Sequence, residues 1–174
     1  MSRGHVWTLL LVVPLALVAG CSGDKDEATA VVARERIDVG ATVVEVQQRD
    51  DGRFQACMVS APEVALPDGQ VCVGPHNGSA GPGQSWSRAN RFGAHTVFLA
   101  ILGPTDSILD DRFTVAQVSA FPVAIAAGVL RDFGDDLVCT VYESGGTRYR
   151  YNTGVSATGE PGVGVSTDRV SCAP

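Results

Sequence analysis

The sequence predicts an all-β domain, a sandwich or small barrel of short antiparallel strands closed by two disulfides. Three observations carry that expectation. Short runs rich in Val, Ile and aromatic residues recur around Asp51-Gly52, Pro67-Asp68-Gly69 and Gly145-Gly146, which favour tight turns. Four cysteines lie beyond Cys21 (Cys57, Cys72, Cys139 and Cys172), an even number suited to two bridges. The stretch from Cys21 to Pro174 is one domain's worth of chain, able to bury about 70% of its unfolded surface. The alternative is an α+β fold with one short helix around 115–130, where the apolar runs flanking Pro122 are too short for periodicity to decide.

In chain order, Arg3 is followed by the apolar run Val6–Val18, and Val18-Ala19-Gly20-Cys21 ends it with small residues before a cysteine. An apolar core of about 7–15 residues suits an export signal and is short of the ~20 that span a bilayer. The segment resembles the lipobox signal peptide of bacterial lipoproteins. That resemblance implies cleavage before Cys21, acyl chains on Cys21, and a chain lipid-anchored to the cell membrane and facing its extracytoplasmic side. It covers residues 1–21 only and implies no activity for the rest. Residues 1–20 are then the signal, 21–30 the anchor and a small, charged tether, and 31–174 a single disulfide-stapled β domain.

Thr42–Gln48 reads as a strand, and taking Asp51-Gly52 as a two-residue turn places Val46 opposite Cys57 and Val44 opposite Val59. On that register Phe54, Ala56 and Met58 face the other way. Gln70–Gly74 follows the Pro67-Asp68-Gly69 turn as a further strand. Pairings Cys57–Cys72 and Cys139–Cys172 are favoured among the three possible, since each joins one local run of strands. Gly93–Gly103 reads as a central strand with His95 near its start. In 104–112 one helical turn capped by Asp106 is expected, with Asp106, Asp110 and Asp111 as solvated turn acids; calcium-loop spacing is missing. Phe113–Ala120 alternates as a strand. The clearest hairpin is Leu137–Tyr151, whose Gly145-Gly146 turn pairs Glu143 with Arg148, Tyr142 with Tyr149 and Thr140 with Tyr151. Tyr142, Tyr149 and Tyr151 then share one face, as sheet packing or as a ligand platform.

Pro75–Arg91 reads as a seventeen-residue loop with no apolar period and no acidic residue. Loops that long in compact domains are often functional. His76, Trp86, Arg88 and Arg91 are accordingly candidates for ligand or partner contact, against a plain excursion whose Trp86 plugs the core. A metal site is not expected: His76 stands near Cys72, but the mature chain holds only His76 and His95 and lacks Cys-x-x-Cys spacing. No cofactor motif or catalytic motif occurs; Gly83-Gln84-Ser85-Trp86-Ser87 lacks the second glycine of a nucleophile elbow. Losing Arg3 with the signal takes the formal charge from −6 to −7, which argues against nucleic acid and against an anionic membrane surface as electrostatic partners. Partners expected are the membrane, through the lipid, and a protein or cell-envelope component. The reading is a binding module without enzymatic activity; the alternative is a secreted hydrolase built around His76 or His95.

Overall fold

In a computed structural model that describes residues 30–77, 86–133 and 136–156, the domain is all-β. Among the described residues, eleven strands form two sheets. Strands β1 (Val31–Val39), β2 (Thr42–Arg49), β3 (Arg53–Ser60) and β4 (Val71–Asn77) make an antiparallel meander in that order. The second sheet has the order β7-β10-β11-β5-β6-β9-β8, from β5 (Trp86–Phe92), β6 (His95–Leu102), β7 (Ser107–Ile108), β8 (Thr114–Gln117), β9 (Ala124–Arg131), β10 (Leu137–Ser144) and β11 (Thr147–Ser156). The region 115–130 is therefore two strands around the Pro122 turn, and the helical alternative is excluded.

The sequence of β6, HTVFLAIL, explains the architecture. Seven of its eight residues are buried, so both faces of the strand meet a core. Val97, Leu99 and Ile101 point to one side, where Val44, Val46, Phe54, Ala56, Met58 and Val73 of the four-stranded sheet cover them. Phe98, Ala100 and Leu102 point to the other, toward Ile108, Phe113, Val138, Tyr142 and Tyr151. The seven-stranded sheet curls around this second core until β7 lies against β9, giving a nearly closed barrel that shares one wall with a sandwich. Small residues make the curl possible: Ala124, Ala126 and Gly128 line β9, and a Cβ on Gly128 would stand 2.8 Å from the Phe113 ring.

The β10–β11 hairpin has the register its turn dictates, with Glu143 opposite Arg148, Tyr142 opposite Tyr149 and Thr140 opposite Tyr151. The β2–β3 hairpin differs by one residue: Val46 pairs with Ala56 and Val44 with Met58. The turn holds three residues, Asp50-Asp51-Gly52, with Gly52 at φ +81°. One extra turn residue reverses every face. Phe54, Ala56 and Met58 thus enter the core, and Cys57 turns outward to bond Cys72, its direct neighbour on β4. Of the favoured pairings, Cys57–Cys72 is present; Cys172, expected for Cys139, lies outside the described residues. The 104–112 connection contains the two-residue strand β7 in place of a helical turn.

Candidate functional site

The expected seventeen-residue loop is much shorter. Residues up to Asn77 belong to β4 and Trp86 onward to β5; only 78–85 lie between, outside the described residues. The structure then brings three candidates together on a seam. β4 and β5 lie side by side but belong to different sheets and share no ladder among the described residues. Across this gap the His76 imidazole stacks on the Trp86 indole, with ring centres 5.1 Å apart and planes 11° from parallel. Farther along, Arg88 Nη1 donates to the carbonyl of Cys72 at 2.8 Å. A disulfide rivets Cys72 in turn to β3.

Local sequence sets this geometry. A register shift between Phe54 and Ala56 lets β4 carry one extra residue and leaves His76 opposite Phe54, on the inward face at the end of the sandwich core. Gly74 makes the bulge: its φ is +99°, and a Cβ there would stand 2.6 Å from the Phe54 carbonyl oxygen. Trp86 sits opposite Ile101 and packs against that core. Partial burial pushes the His76 pKa below its ordinary value, and the Arg53 charge adds to the effect. The stacked imidazole is therefore neutral at pH 7.

The remaining candidates lie elsewhere. Arg91 is on the same side of β5 as Ala89, facing away from the stack, and is opposite Thr96. Tyr142 and Tyr151 are fully buried inside the barrel with their rings 6.0 Å apart, and Tyr149 packs at their edge, 6.2 Å from Tyr142. Tyr142 and Tyr151 belong to the core and Tyr149 packs against it, because the barrel curls over the face that carries them. The opposite hairpin face, with the Glu143–Arg148 pair, is exposed as expected. His95 lies at a strand end with its Nε2 3.6 Å from Glu63 Oε2, while Arg131, its cross-strand neighbour, binds the other oxygen of Glu63.

Several polar residues with structural work left little trace in the sequence. Asp106 is only 6% exposed and accepts a hydrogen bond from the Tyr142 hydroxyl, so the expectation of a solvated turn acid fails there. Burial, and then this carboxylate, raise the Tyr142 pKa and keep the phenol protonated. Asp110 is held by Arg112, whose guanidinium lowers its pKa, and it also accepts from Thr140. On the buried face of β5, the Ser87 and Thr153 hydroxyls bond at 2.7 Å and tie β5 to β11. Glu35 accepts the backbone N–H groups of Ser119 and Ala120, the latter the main cause of its lowered pKa, and so clasps β1 to the turn after β8.

The arrangement offers two neutral aromatic rings and backbone-bound arginine at the mouth of a seam. Among the described residues neither histidine is bonded to a serine hydroxyl and a buried carboxylate, and no group of three or more His, Cys, Asp and Glu is placed to hold a metal ion. No known family, curated protein or solved structure matches this chain.

Proposed function

We propose that the chain is a lipid-anchored, extracytoplasmic binding protein whose β domain presents a rigid surface and has no catalytic role. The observation that carries the non-enzymatic part is the placement of the two mature histidines. His76 is spent on the Trp86 stack, and His95 faces Glu63 and Arg131 at the surface. A hydrolase built around either histidine would need it beside a nucleophile and an orienting carboxylate. The anchoring part is supported by the small residues ahead of Cys21 and by the short polar tether leading into β1.

The contact surface supported best is the seam mouth at His76–Trp86, next to the glycine-rich residues 78–85. A half-buried indole stacked on an imidazole, each ring with a polar nitrogen, suits a polar envelope component. Recovery of an envelope partner should be compared between wild type and a Trp86→Phe/His76→Gln variant with unchanged melting temperature. Reduced recovery supports the seam mouth; equal recovery removes it as the contact. Hydrolysis of ester or amide substrates that is lost in His95→Ala would favour the hydrolase alternative.

A further inference from the structure

We propose that the outer face of the four-stranded sheet docks on the anionic headgroups of the bilayer in which the chain is anchored. The inference rests on the anchoring reading and adds a partner surface to it. Register and burial place Arg34 and Arg36 of β1, Arg49 of β2 and Arg53 of β3 on the side of this sheet that faces away from both cores. Between them stand Gln47, Gln55 and a single carboxylate, Glu45. That carboxylate is already engaged, taking Arg34 at 3.4 Å and the Gln47 amide at 2.6 Å. Asp51 at the hairpin tip is held by Arg53, and Asp38 lies at the far end of β1. Of the acidic residues the structure describes, most lie elsewhere in the fold, so the chain's net −7 after signal removal misdescribes the face.

Two further observations select a membrane as the occupant. First, the tether enters at this edge: Val31 pairs with Arg49, and the Ala30 carbonyl accepts the Asp50 N–H. Nine residues, Ser22–Ala30, separate Cys21 from β1. A chain of nine residues reaches about 30 Å at most. Second, Val31 and Val32, 36% and 59% exposed, are large apolar side chains left open at the same edge. Apolar side chains beside arginines are the composition of an interfacial contact. A patch this modest would bind a bilayer feebly from solution. Tethering holds it at an effective concentration near millimolar, so the patch sets orientation, not residence. The β10–β11 hairpin would then point away from the membrane.

The test uses the full lipidated protein in vesicles of phosphatidylcholine alone or with phosphatidylglycerol, with phenylglyoxal modification of individual arginines read by peptide mass spectrometry. Arg34 and Arg36 should react about fivefold more slowly on the anionic vesicles, the factor for one arginine at an anionic surface, and high salt should remove the difference. Arg148 and Arg150, on the exposed hairpin face, should react equally on both. Arg34→Gln/Arg36→Gln should leave flotation unchanged and abolish the lipid dependence at Arg53. Equal rates at Arg34 and Arg36 on both vesicles overturn the proposal. So does protection that follows protein density, which assigns the face to a second copy, or protection that needs an added soluble anionic polysaccharide. Failure to float with either vesicle overturns the anchoring reading itself, and flotation without protection overturns only the face.

Discussion

Replacing Arg88 with Ala tests whether the candidate residues hold the fold together before they hold anything else. Arg88 Nη1 donates to the Cys72 carbonyl at 2.8 Å across a seam with no backbone ladder among the described residues. A hydrogen bond from a charged donor contributes about 1.5–3 kcal/mol. The same truncation removes the arginine stem from a half-buried position, adding a fraction of a kcal/mol of packing. The variant should therefore lose about 2 kcal/mol. Urea unfolding of residues 21–174 reports this cleanly, because Trp86 is the single tryptophan in that stretch and sits on the seam. The midpoint should fall while the slope stays constant, since the surface exposed on unfolding is unchanged. A stability within about 0.5 kcal/mol of wild type would refute the seam argument and return Arg88 to the contact surface.

Tyr142→Phe should cost about 1–3 kcal/mol in thermal unfolding, because it strands the buried Asp106 carboxylate without its hydroxyl donor. Leu99→Ala, at a fully buried position of the shared wall, should cost about 2–5 kcal/mol in the same assay. The His76 shift predicts a pH effect. A histidine whose pKa is lowered on folding stays neutral while the unfolded chain takes a proton, so stability falls as pH drops below 6.5 toward the lowered value. His76→Gln should remove that slope, and an unchanged slope between pH 7 and pH 5 would assign it to another group.

Which parts of this fold are legible in the sequence follows from what each residue must do. The β10–β11 register is legible because Gly145-Gly146 makes a two-residue turn and leaves no choice of pairing. Asp51-Gly52 misleads by one residue because Asp50 joins the turn, and only the apolar claims of Phe54 and Met58 on the core could signal the true register. β1 escapes a search for apolar runs: Arg34, Glu35 and Arg36 interrupt it, and its buried side shows only as Ala33, Ile37 and Val39 at alternate positions. β5 reads as loop for a deeper reason. As an inner strand it should be apolar, yet it buries Ser87 and Asn90, whose places depend on partners distant in sequence such as Thr153. The stack of His76 on Trp86 was likewise visible only as two aromatic rings in a glycine-rich stretch; the bulge at Gly74 and the seam between sheets bring them together.

The central claim, a β domain held to the membrane through Cys21, is tested most directly by the intact mass and N-terminal peptide of protein extracted from membranes. The account predicts a chain beginning at Cys21, acylated there, and a Cys21→Ser variant that leaves the membrane fraction. A mature chain that begins elsewhere, or an unmodified Cys21 in protein that still sediments with membranes, would contradict it.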